Sequence, residues 1–115
     1  MGYFTDDELK CPCCGLMNIT PRHRMMLDST REGAGIPMKV TSGSRCAKHN
    51  KEVGGKEDSD HLTGEGTDIS CETSVQRYRI IKAALSMGFT RIGVRKDFLH
   101  LGSSLNNTQE VMWLY

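Results

Sequence analysis

The sequence is nearly without net charge: 15 lysines and arginines stand against 14 aspartates and glutamates in 115 residues. No large field is present to gather nucleic acid or anionic lipid, so neither is expected as a partner. It also lacks any run of about 18 apolar residues, so no segment is expected to cross a membrane. The polar, acidic stretch Met1 to Lys10 has no basic region followed by an apolar one, so no secretory signal is expected there. Repeats, low-complexity tracts and linkers are missing as well. A chain of this size suits one domain and one core. The expectation is a single domain over residues 1–115, monomeric, carrying one site.

Cysteine, by contrast, is plentiful. Cys11, Cys13, Cys14, Cys46 and Cys71 make an odd count, which leaves at least one unpaired unless a metal takes them. A disulfide suits an oxidising space, and a thiolate metal site or plain thiols suit the cytoplasm. The compartment is therefore open.

Local signals predict an α+β domain. Thr5 and Glu8 have the spacing of a capping box, which predicts a helical turn near Asp6. Thr20-Pro21 opens a helix from about Pro21 to Glu32, closed by Gly33 and Gly35, with His23 on its solvated side. Met38 to Ser42 reads as a short strand. Val75, Tyr78, Ile81, Ala84 and Leu85 recur at helical spacing within Ser74 to Met87, before Gly88. Arg91 to Val94, Phe98 to Leu101 and Glu110 to Tyr115 read as strands of one small antiparallel sheet with flanking helices. Gly43 to Thr67 has almost no apolar periodicity, and so long an irregular stretch in a small domain is usually functional.

That stretch carries the candidate chemistry. In Ser59-Asp60-His61-Leu62-Thr63-Gly64-Glu65-Gly66-Thr67-Asp68, two glycines separate a histidine from an aspartate seven positions on. The glycines disfavour a continuous helix and let the backbone fold back, so that His61 and Asp68 face one point. Imidazole nitrogen and carboxylate oxygen are both zinc ligands, and a catalytic zinc site commonly uses three protein ligands and keeps a position open. His100, in the apolar run Phe98-Leu99-His100-Leu101, is the third candidate. Asp97 lies three residues earlier, which on a regular strand is the opposite face. To act at the same point it must sit on the preceding turn. From there its carboxylate would take and return protons as general base.

These residues resemble the motifs of a known family, the zinc D-alanyl-D-alanine carboxypeptidases and L-alanyl-D-glutamate endopeptidases of bacterial cell walls, grouped with hedgehog signalling domains. Its Ser-x-His-x-x-Gly-x-Ala-x-Asp motif is matched by Ser59, His61, Gly64 and Asp68, and its late acid-x-x-His motif by Asp97 and His100. Its Ser-Gly-x-Arg motif is matched by Ser42-Gly43-Ser44-Arg45. The following Cys46-Ala47-Lys48-His49-Asn50 and Val53-Gly54-Gly55 resemble a branch of small, often phage-encoded members. The resemblance implies one catalytic Zn2+ held by His61, Asp68 and His100, and hydrolysis of a bond in the peptidoglycan stem peptide. It gives Arg45 the polarised carbonyl or a substrate carboxylate to hold, and Ser59 the substrate to anchor. The chain departs from the pattern at Gly66, where the family usually has alanine, and at Gly102, where many relatives have a further acid. Weaker support of the metal from its outer neighbours is the expected result.

Two other readings stand beside the peptidase: a catalytically silent zinc-binding interaction domain of the same fold, and a cysteine-based zinc-finger-like module for nucleic acid. The near-neutral charge weighs against the last. Cys11, Cys13, Cys14 and Cys46 admit a structural zinc site, one disulfide or buried thiols, and a disulfide or thiols are favoured here over a second metal. His49 reads as a structural loop residue or an alternative ligand, and Cys71 has no evident partner.

Overall fold

The computed structural model describes residues 2–115. Helices α1 (Asp6–Leu9), α2 (Pro21–Ala34), α3 (Ala47–Glu52) and α4 (Ser74–Ser86) accompany strands β1 (Val40–Ser42), β2 (Gly66–Ser70), β3 (Arg91–Val94), β4 (Phe98–Gly102) and β5 (Val111–Leu114). A 3-10 turn spans Asp60–Thr63.

The helix ends are chemically specified. Thr5 and Glu8 form the capping box of α1, and Thr73 with Gln76 forms that of α4. Thr20 caps α2 by accepting from the His23 amide, and Gly35 ends it at φ 67°. The buried side of α4 is Ile80, Ala83 and Ala84, whereas Val75, Tyr78 and Leu85 are exposed. The helix stands where expected, but its inward face is rotated from the one its larger apolar residues suggest. Small alanines let α4 pack closely on α2, with Gly33 near Ala83.

The strands form one sheet in the order β1-β2-β4-β3-β5. It is mixed rather than antiparallel: β5 runs parallel to β3, with Arg91 opposite Val111 and Gly93 opposite Trp113. The reason lies in the loop after β4. Gly102 ends beside Arg91 at the start of β3, so the chain crosses that end and begins β5 in the same direction. Arg91 Nη1 donates to the Thr108 carbonyl at 2.6 Å, and Thr90 Oγ1 to Gln109 Oε1 at 2.7 Å, holding the crossing in place.

Strand β2 begins within the last two residues of the stretch expected to be irregular, Gly66 and Thr67, and it pairs with β1 on one side and β4 on the other. Alternation along the strands then divides the sheet. Ile69, Leu99, Leu101 and Ile92 point into one core with Leu27 of α2 and Ile80 of α4. Asp68, His100, Gly93 and Trp113 share the opposite face.

His23 is not solvated. It is fully buried, with Nδ1 2.6 Å from Ser103 Oγ, Nε2 3.2 Å from Thr67 Oγ1, and its ring edge-on to Phe89. A helix face that looks polar in sequence here meets a polar patch of the sheet, and the two hydroxyls satisfy the imidazole.

Candidate metal centre

Asp68 and His100 are direct partners across β2 and β4, so their side chains stand together on one face. His61 reaches them from the 3-10 turn. Ser59 caps that turn by accepting from the His61 amide, and Gly64 closes it at φ 73°. A Cβ at position 64 would collide with the Asn18 carbonyl, and one at position 66 would press on Asp60. Both glycines are therefore required for the fold-back that brings His61 over Asp68.

Three ligand-capable atoms converge. His61 Nε2 lies 3.2 Å and His100 Nδ1 2.9 Å from Asp68 Oδ1. The edge of a tetrahedron with ligands about 2.0–2.1 Å from zinc is about 3.3 Å, so the spacing suits one small cation. All three residues are buried and form a group that could hold a metal ion.

The other end of each side chain is held. His61 Nδ1 donates to the Gly43 carbonyl at 2.7 Å, and His100 Nε2 donates to Asp60 Oδ2 at 2.9 Å. With those nitrogens carrying hydrogens, the lone pairs of neutral His61 Nε2 and His100 Nδ1 are left facing Asp68 Oδ1. Three electron-rich atoms aimed at one another call for a positive charge between them, which is the chemistry of a metal-ligand set. The second oxygen, Asp68 Oδ2, takes Arg45 Nη2 at 3.4 Å.

The ionisation balance follows from these contacts. Where no ion sits between them, a proton on the facing imidazole nitrogen takes that place: burial alone would raise Asp68, but hydrogen bonds donated by His100 and His61 in that state hold it well below the usual carboxylate range. Burial likewise opposes ionisation of Asp60, yet bonds from His100, Asn107 and Arg91 keep its pKa low. For His100, burial is overcome by Asp60 and Asp68, and its pKa rises.

Asp60 is the principal residue that sequence reasoning missed. It is buried, Arg91 Nε contacts both its oxygens at 3.2 and 3.0 Å, and Asn107 Nδ2 donates to it at 2.9 Å. A side chain at position 102 would run into Asp60 Oδ2 and approach His100 Nε2. The carboxylate absent at Gly102 is thus replaced in space by one that arrives from the 3-10 turn. The glycine at 102, a departure from the family pattern, was the available signal.

Arg45 lies against the cluster. Besides Asp68, it donates through Nε to Ser42 Oγ at 3.1 Å and through Nη1 to Asn50 Oδ1 at 3.3 Å. Ser59 is half-buried at the cap of the turn. Asp97 does sit on the turn before β4, but its carboxylate pairs with Arg95 Nε at 3.3 Å, and no hydrogen bond among the described residues joins it to His61, Asp68 or His100. His49 lies on α3, outside the three-residue group.

A search of curated proteins gives no match. The family model for peptidase M15 matches residues 2–102, most of the chain and all three converging side chains. The chain belongs to the peptidase M15 family of zinc peptidases.

Proposed function

We propose that the chain is a zinc metallopeptidase that hydrolyses a bond in the peptidoglycan stem peptide, of the D-Ala-D-Ala carboxypeptidase or L-Ala-D-Glu endopeptidase type. One observation carries the metal assignment: His61 Nε2, Asp68 Oδ1 and His100 Nδ1 converge while Gly43, Arg45 and Asp60 hold the opposite ends of those side chains. His61, Asp68 and His100 would hold the ion. When bound, zinc supplies Lewis acidity, acidifying water towards neutral pH and polarising a peptide carbonyl.

The remaining work falls to the chain's own groups. Arg45 uses three of its N–H groups on Ser42, Asn50 and Asp68, which leaves two of the five for a substrate carboxylate or carbonyl oxygen. Asp97 is the proton acceptor in this reading. Among the described residues its carboxylate is bound only to exposed Arg95, a weak surface pair that substrate can displace. Asp60 is unsuited to that task because its oxygens are committed to His100, Arg91 and Asn107. Ser59 anchors peptide beside the turn it caps. Trp113, whose ring lies 5.6 Å from that of His100, and Tyr115 provide an aromatic wall on the same face. Gly93 leaves room for both rings, since a Cβ there would press on each.

The outward pairing of Asp97 favours a second reading, a silent zinc-binding domain of the same fold. Digestion of purified peptidoglycan with mass analysis of the fragments separates the two. Release of stem-peptide fragments that stops in Asp97→Ala, with zinc retained, supports the peptidase and names its bond. Zinc binding without fragments supports the silent domain.

A further inference from the structure

We infer that Cys11, Cys13, Cys14 and Cys46 form a second, structural zinc site, separate from the His61–Asp68–His100 group. The four sulfurs come from two segments, the loop after α1 and the start of α3, and lie within 4.8 Å of one another. Cys11 Sγ is 3.7 Å from Cys13 Sγ and 3.8 Å from Cys46 Sγ, and Cys13 and Cys46 are 3.2 Å apart. With zinc–sulfur bonds of about 2.3 Å, the edge of a tetrahedral four-thiolate site is about 3.8 Å. A disulfide would need only two of these sulfurs at bonding distance. All five cysteines are free, and four of them converge. Four thiolates close the coordination shell, so the site is structural and leaves no position for substrate.

The backbone is shaped for it. The Cys11 amide donates to the Leu16 carbonyl at 2.7 Å and the Gly15 amide to the Cys11 carbonyl at 2.9 Å, making a tight loop that Gly15 permits at φ 79°. Cys11 and Cys14 in Cys11-Pro12-Cys13-Cys14-Gly15 have the two-residue separation common in zinc loops. From the second segment, Cys46 Sγ accepts from the His49 amide at 3.4 Å. Cys71 is buried elsewhere, with its Sγ near the Thr73 carbonyl, and plays no part.

The position gives the site a purpose. A four-residue helix cannot hold itself against a domain. Leu9, at the end of α1, accepts from the Ser44 amide at 2.7 Å, and a Cβ on Gly43 would collide with its carbonyl. Gly43 in turn holds His61 Nδ1, and Arg45 contacts Asp68. A zinc ion joining Cys11 to Cys46 therefore staples both flanks of the segment that orients the other centre.

The test is zinc content of the reduced full-length chain by elemental analysis, with thiol titration. Wild type is expected to hold about two zinc ions per chain and His61→Ala about one, retained through exposure to a mild chelator. Cys14→Ser/Cys46→Ser should lose that remaining ion. Where the double variant fails to fold, cobalt-loaded His61→Ala provides the second measurement: intense sulfur-to-cobalt charge-transfer absorption is expected, with four thiols becoming reactive as the metal is released. Zinc-free His61→Ala with four reactive thiols, or a chain carrying the mass deficit of a disulfide after purification under reducing conditions, would overturn the assignment. One zinc in both wild type and His61→Ala, lost only in the cysteine variant, would support this site while refuting the histidine one.

Discussion

His100 Nε2 donates to Asp60 Oδ2 at 2.9 Å, and Asp60 fills the space that any side chain at position 102 would need. This pair sets both the tautomer and the orientation of His100. Asp60→Asn is therefore expected to weaken zinc binding at the histidine centre by about 10- to 100-fold while the chain stays folded. Chelator competition on folded protein measures it, in a Cys14→Ser/Cys46→Ser background if that variant folds, otherwise by following the loss of cleavage. An unchanged affinity would mean that His100 is oriented by Asp68 alone.

Asp97 is expected to separate catalysis from metal binding. Asp97→Asn should lower cleavage about 10²- to 10⁴-fold, the usual contribution of a positioned base, with zinc content unchanged. Full activity in this variant would remove Asp97 from the reaction and return the role to solvent or another carboxylate.

His23 predicts a pH dependence of stability. Burial pushes its pKa down from 6.5 to about 3. Because the folded value lies below the unfolded one, the stability it contributes is complete above about pH 6.5 and is lost as pH falls towards 3. The slope from this one group approaches about 1.4 kcal/mol per pH unit. His23→Gln, which keeps polar atoms for Ser103 and Thr67, should flatten that part of the curve when urea midpoints are followed from neutral to acid pH. Parallel curves for the two proteins would show that His23 does not supply the slope.

Gly64 is both a turn residue and a spacer. Gly64→Ala places a Cβ at φ 73° against the Asn18 carbonyl, so it should cost more than about 1 kcal/mol and move His61. A lowered melting temperature together with weakened metal binding is the expected pair of results, and wild-type values for both would show that the turn adapts.

The elements with chemical punctuation could be read directly. Thr20-Pro21 announced α2, the helical spacing of Val75 to Leu85 before Gly88 announced α4, and the apolar strands β3 and β4 stood clear of their turns. Strand β2 could not be read in this way. Ile69 is the only large apolar residue in Gly66–Ser70, and what makes the segment a strand is pairing on both edges. The parallel course of β5 was equally hidden, since it depends on where residues 103–110 cross the sheet. His61 and Asp68 could be expected to meet because Gly64 and Gly66 advertise a fold-back. Asp60 was signalled only indirectly, by the missing side chain at Gly102: it neighbours a ligand in sequence, and the register of Gly66 opposite Gly102 brings its carboxylate to His100. For the cysteines, spacing raised a zinc site without favouring it. The approach of Cys46 to Cys11 and Cys13 is a tertiary fact.

The most direct test of the central claim is digestion of purified peptidoglycan by zinc-loaded wild type and His61→Ala, with mass analysis of the released fragments and elemental analysis of both proteins. Defined stem-peptide fragments are expected from wild type and none from His61→Ala, with a loss of about one zinc per chain in the variant. Equal zinc in the two proteins, or fragments released equally by both, would contradict the claim.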